Sequence, residues 1–257
     1  MNGYDAVMCM FSRAIESVSS TTIFARGLAD GGQALAYAME LAAAEELAMV
    51  LPLPVPANGP DDAVRFVSLE RYPTLFADLK RAFPLLESAL VMQSLEIPQP
   101  RSKTLRVQTV GAFEASFVPH PRDFARLDAR FRLPPRVLDA LPQYADWGFA
   151  VFQLRASRAG TRVHPMALVF PRRDPAALFF PTVHVHDGSA PATAEFDHML
   201  YAQLPPQAAA PAGWTRSDRA LGRTVDTARA GGLIDAAAPG IARALDGELP
   251  NVDQWLR

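Results

Sequence analysis

What most restricts the fold of this chain is the way prolines cut its apolar runs. Leu47-Ala48-Met49-Val50-Leu51 runs into Pro52, Pro54, Pro56 and Pro60, and Met166-Ala167-Leu168-Val169-Phe170 ends at Pro171. Proline has no backbone N–H to give to a ladder, so a run closed in this way must end at a sheet edge or bend. None of these runs reaches the roughly 18–20 apolar residues that cross a bilayer as a helix. The expectation is a set of short strands joined by bends.

The remaining periodicities extend that reading. Thr21-Thr22-Ile23-Phe24-Ala25-Arg26 is rich in β-formers and is closed by Gly27 and by the turn signal Gly31-Gly32. Leu35, Tyr37, Met39 and Leu41 alternate with small residues as a strand requires, although Ala42-Ala43-Ala44-Glu45-Glu46 has helix-forming composition. Leu75, Phe76, Leu79 and Phe83 follow Pro73 at helical spacing. Further on, strands are expected over 110–118 and 147–154, and helices over 124–131 and 137–144.

Leu47–Pro54, a polar loop and Val64–Leu69 are echoed by Met166–Pro171, a polar loop and Leu178–Val185. Such self-similarity suggests an internal duplication. The fold class expected is α+β: a mainly antiparallel sheet in two related halves, 1–100 and 101–205. An Ala-, Gly- and Pro-rich extension over 206–257 follows, with short helices near 224–230 and 241–245, held to the body by Trp214 and Trp255.

Charge narrows the partners. The 257 residues carry 25 Lys and Arg against 27 Asp and Glu, and the signs are interspersed, so no basic stripe exists to neutralise a phosphate backbone. Nucleic acid is not an expected partner. Arg172-Arg173 beside Asp174, and Lys80-Arg81 near Asp78, read as solvated surface. The single cysteine, Cys9, excludes an intrachain disulfide and suits a reducing compartment. With no basic start and no apolar run in residues 1–20, the expected location is the cytoplasm.

The order of motifs resembles a bacterial family known only as domain of unknown function 2330. Its carriers here are Cys9, Ile23-Phe24-Ala25-Arg26, Glu46–Pro54, Val110–Ala115, Leu138–Tyr144, Trp147–Leu154 and His164–Phe170, spread over residues 9–185. Each motif is short and apolar, so the resemblance lies in their order. It implies no activity, and this chain lacks the Gly-rich sequence that the family carries after the cysteine.

Two candidate chemistries stand out. In Phe179–Gly188, alternate side chains of a strand would place His184 and His186 on one face and Val183 and Val185 in the core. A return strand through Phe196–Tyr201 would bring His198 opposite them. Three histidines around an open position suit zinc or copper, with Asp187 or Asp197 orienting a ring. A polar strand face with unligated histidines fits the same residues, since His-x-His alone is common. His164 and His120 read as structural and loop residues.

The second candidate is Cys9. If translation starts at Met8 rather than Met1, Cys9 becomes an amino-terminal residue whose thiolate can attack a carbonyl. With Phe24-Ala25-Arg26 this resembles the amino-terminal-nucleophile hydrolases, although Gly27-Leu28 stands where they follow the arginine with an Asn-Asp type pair. A buried, inert Cys9 is the competing reading. No Gly-x-Gly-x-x-Gly, Gly-x-Ser-x-Gly or His-Glu-x-x-His pattern is present. The leading functional expectation is therefore a soluble binding or interaction domain that holds a transition metal through His184, His186 and His198. The alternatives are a Cys9-dependent hydrolase and a structural or assembly protein.

Overall fold

The computed structural model describes residues 10–13, 15–84, 113–129, 132–133, 135–162, 164–185, 189–205 and 207–257. In chain order its strands and α-helices are β1 (Met10–Phe11), β2 (Ser17–Gly27), β3 (Gly32–Ala43), β4 (Leu47–Leu53), β5 (Arg65–Ser68), α1 (Leu75–Lys80), β6 (Phe113–Val118), α2 (Pro135–Asp139), β7 (Gly148–Leu154), β8 (Ser157–Arg162), β9 (Met166–Pro171), β10 (Leu178–Phe180), β11 (Thr193–Gln203), β12 (Thr215–Ala220), β13 (Pro239–Pro250) and β14 (Gln254–Leu256). The chain is mostly β, which overturns the expected α+β class.

The strands form a sandwich. An eight-stranded sheet runs β12-β13-β11-β2-β3-β9-β5, with β8 also paired to β3, and a four-stranded sheet runs β1-β4-β7-β6. Among the described residues, every pairing is antiparallel except β2 with β11, which is parallel. Between the two sheets lies the largest core, built from Leu35, Tyr37, Met39 and Leu41 of β3 against Leu47, Met49 and Leu51 of β4 and Phe152 of β7.

The opposite face of β3 carries Ala34, Ala36 and Ala38, and these small side chains let a second core close over it, made by Leu75, Phe76 and Leu79 of α1 with Leu221, Leu233 and Ile234. The four-stranded sheet is covered likewise on its far side, where Val50, Phe149 and Val151 meet Phe124, Val137 and Tyr144. Four layers result. Because β3, β4 and β7 are buried almost throughout, their sequences read as apolar runs rather than as clean alternation.

The prolines sit where the ladders allow. Among the described residues, β1 pairs with Met49 and Val50, and Pro52 of β4 is partnered by Phe149 of β7. Pro171 ends β9 opposite Gly32, beyond the reach of β5, which pairs with 166–169. The two segments that echo each other in sequence thus lie in different sheets.

No helical extension exists at the carboxyl end. The segment expected as a helix near 241–245 lies in β13, which pairs with β11 over Thr193–Ala202 and with β12 on its other side. Ladder pairing along this length outweighs local helix propensity. Residues 224–230 are turns after a 3₁₀ turn at Leu221–Arg223. The expected helix at 124–131 is a 3₁₀ turn at Pro121–Arg126, capped by His120, whose Nδ1 accepts the Arg122 N–H at 3.3 Å. The one at 137–144 is divided between α2 and a 3₁₀ turn at Pro142–Tyr144, since Pro142 has no N–H to continue the helix.

The last residues are tied to the body by side chains. Trp255 packs on Phe179 at 4.8 Å between ring centroids, and Trp214 on Phe180 at 5.9 Å. The buried Gln33 donates to the Phe179 carbonyl at 2.7 Å and accepts its N–H at 2.9 Å, fixing β10 against β3. Asp253 accepts the Tyr144 hydroxyl at 2.5 Å and the N–H groups of Thr182 and Val183 at 2.9 and 3.2 Å.

Burial pushes the Asp253 carboxyl up to about 6, against these three hydrogen bonds, which lower it. A carboxyl raised in the folded state binds more protons there than in the unfolded chain, so its contribution to stability grows as pH falls through about 6 toward the unfolded value. Lowering the pH from about 7.5 to about 4.5 should therefore stabilise the protein by about 2 kcal/mol relative to the Asp253→Asn variant, whose side chain does not titrate. Urea unfolding of both proteins across that range reads the difference; parallel profiles refute it.

Candidate functional site

The histidine cluster forms where two segments cross inside the sandwich. On β11, burial alternates, and Ala194, Phe196 and His198 face inward. Residues 182–184 run past this face, held by the carboxy-terminal segment: Asn251 accepts the His184 N–H at 2.7 Å and donates to its carbonyl at 2.8 Å. Val183 and Val185 turn to the core over the four-stranded sheet, which leaves His184 to face β11.

The rings of His184 and His198 stack, with centroids 5.2 Å apart and planes 19° from parallel. Phe196 lies 4.3 Å from the first and 5.0 Å from the second. His184 is fully buried and His198 almost so. Burial, with His184 nearby, pushes the His198 imidazole down to about 3, so it is neutral at physiological pH. Among the described residues, neither His198 ring nitrogen has a hydrogen-bond partner, and a carboxylate oxygen of Asp197 stands 3.8 Å from its Nδ1.

The structure thus brings together two of the three expected ligands. They meet across layers and not in a hairpin, because β11 pairs with β13 and β2. Residue 186 and Cys9 lie outside the described residues. Among the described residues, no group of three or more His, Cys, Asp or Glu side chains is disposed to hold a metal. His164 lies in the irregular segment just before β9, and its Nδ1 is 3.3 Å from the Pro165 carbonyl.

A site the sequence did not announce lies at the ends of the central strands. Arg26 of β2 and Gln203 of β11 are register partners in the parallel pair, and both line a pocket of about 530 Å³ with Arg172, Leu178, Leu204 and Leu256. Arg172, read from sequence as solvated surface, is half-buried and engaged, while Arg173 is exposed as expected but is also engaged. Arg172 donates to the Gly31 and Ala177 carbonyls at 3.1 and 3.3 Å, and Arg173 to the Val55 carbonyl at 2.9 Å and to Asp146. Adjacent acidic residues in sequence mislead because the arginine partners come from distant segments.

No protein-family model matches the sequence, and no curated protein matches it. Among solved structures, the chain is similar to the crystal structure of baculovirus P35, with a TM-score of 0.52 and 10% identity over 97% of this chain and 99% of that one. P35 in the caspase-8/P35 complex gives a TM-score of 0.46 and 12% identity over 93% and 96%. The first likeness establishes a shared fold, which is the second ground for replacing the α+β expectation. No helix among the described residues is long and apolar enough to cross a membrane.

Replacing His198 by phenylalanine removes two buried ring nitrogens without partners and keeps an aromatic ring against Phe196. The expected result is a stability change between zero and a gain of about 1 kcal/mol, whereas His198→Ala, which leaves a cavity, should cost about 2–3 kcal/mol. Chemical denaturation of the two variants measures the order; a phenylalanine variant as damaged as the alanine one contradicts it.

Proposed function

We propose that this chain is a protein-binding module. The observation that carries the reading is the extent of its likeness to P35: nearly all of each chain is covered, so the correspondence involves the whole architecture and not one motif. P35 is found in complex with caspase-8, and a caspase-type cysteine protease is the first partner to test. Titrating purified chain against immobilised caspase-8 should give saturable one-to-one binding. Absence of binding at high micromolar concentration eliminates this protease as the partner.

A second reading is favoured by the chemistry of His198. An imidazole held neutral by burial, with no hydrogen bond on either nitrogen and a second histidine ring stacked 5.2 Å away, has the protonation state that a transition-metal ligand requires. In this reading His184 and His198, with His186 as third ligand, hold zinc or copper. Protein purified without a histidine tag or chelator should then carry close to one metal per chain, and His198→Phe should lose it while remaining folded. A folded, metal-free wild-type protein eliminates the reading.

A further inference from the structure

Imide chemistry singles out one turn of this chain. A backbone amide nitrogen that reaches the side-chain carbonyl carbon of a preceding Asn or Asp closes a cyclic imide, and a glycine nitrogen has no side chain beside it to obstruct the approach. Among the described residues, three pairs have this form: Asp30-Gly31, Asn58-Gly59 and Asp246-Gly247.

Two of the three are held against reaction. The Gly31 N–H donates to the Leu28 carbonyl at 3.1 Å, and Asp30 Oδ1 accepts the Gly32 N–H at 2.9 Å, so both reacting groups are engaged. Asp246 and Gly247 lie within the ladder of β13, opposite Asp197 and Phe196 of β11. Ring closure at the first pair breaks both bonds, and at the second it distorts the ladder. An ionised aspartate must also take up a proton before it can lose water, whereas asparagine loses ammonia directly.

Asn58 and Gly59 carry no such restraint. They sit midway along the connection from β4 to β5, where Asn58 is exposed and takes the left-handed conformation, φ 59°, that asparagine accepts in a turn. Among the described residues, neither the Asn58 carboxamide nor the Gly59 N–H has a hydrogen-bond partner. Rotation about the bond between the Asn58 Cα and carbonyl carbon therefore brings the nitrogen toward Cγ without breaking a bond. The flanks are anchored, since the Val55 carbonyl accepts Arg173 Nε at 2.9 Å and Asp61 accepts Arg126 Nη1 at 3.1 Å. The turn between those anchors is presented to water.

We propose that Asn58 is a site of spontaneous covalent modification, converting to isoaspartyl and aspartyl through an imide with Gly59. The Gly59 nitrogen gives up its proton and bonds to Asn58 Cγ, and the carboxamide nitrogen leaves as ammonia. Water then adds to one of the two imide carbonyls. Opening at Cγ leaves an aspartyl, and opening at the α-carbonyl leaves an isoaspartyl whose main chain runs through the former side chain. In sum one water is consumed and one ammonia released, with no oxidant or cofactor. Either product adds one negative charge to a chain of formal charge -2 and places a carboxylate in the turn that already holds Asp61 and Asp62. The inference is independent of the protein-binding reading and of the histidine pair, neither of which involves this turn.

The test is incubation of the full chain at physiological temperature and mildly alkaline pH. Peptide mapping by mass spectrometry follows each residue, and methyl transfer from S-adenosylmethionine by an isoaspartyl methyltransferase counts the isoaspartyl. Asn58 should react within tenfold of the rate of a synthetic peptide spanning 54–63, with isoaspartyl in excess over aspartyl. Asp30 and Asp246 should convert at least tenfold more slowly. Gly59→Ala should slow the reaction at least tenfold in a folded protein, because Gly59 lies outside the left-handed region and a Cβ there would meet the Pro56 carbonyl oxygen at an ordinary 3.4 Å. An Asn58 that stays intact while the peptide reacts, an unchanged rate in Gly59→Ala, aspartyl as the sole product, or Asp30 or Asp246 converting as fast as Asn58 each overturns the proposal.

Discussion

Burying both faces of a β-strand means that every side chain along it must fit a neighbour, and β3 is the strand on which this fold imposes that demand. Its large residues fill the space between the two sheets while its alanines admit the layer of α1 and the 221–234 turns. The division of sizes is what makes two cores possible on one strand. A larger side chain at Ala36 would push the outer layer away, and a smaller one at Tyr37 would open the sandwich. β2, β8 and β9 pair with β3, so errors there propagate through the large sheet.

Long-range side-chain to backbone bonds supply what the ladders do not. Gln33 fixes β10, Gln203 fixes the 235–238 turn, and Asn251 with Asp253 fixes residues 182–184. Each amide or carboxylate satisfies backbone groups that the neighbouring sheets leave open, and burial makes any loss costly. Gly148 shows the same tightness from the packing side, since a Cβ there would lie 2.6 Å from the Phe117 ring.

The strand pattern was legible where polarity alternates or where prolines end a run. Leu35 to Leu41 and the runs closed by Pro52 and Pro171 became β3, β4 and β9. Legibility failed where pairing decides the outcome. Nothing local in Ile241–Leu245 distinguishes a helix from the long strand that β11 recruits. His184 and the valines beside it face opposite ways, as the expected strand alternation has it, although the strand itself ends at Phe180. The approach of His198, by contrast, depends on a crossing of layers that no spacing records. Arg26 and Arg172 were illegible as lining of one pocket because they are 146 residues apart in sequence.

The pocket they line has a topological cause. Parallel pairing of β2 with β11 brings the exits of both strands to one end of the large sheet, and the antiparallel partner β3 begins there while β9 ends there. Chain segments leaving or entering four neighbouring strands must diverge at this end, and divergence leaves a hollow. An all-antiparallel arrangement would distribute those exits over both ends and close each with a short turn. The pocket is therefore a consequence of the one parallel pair among the described residues, β2 with β11.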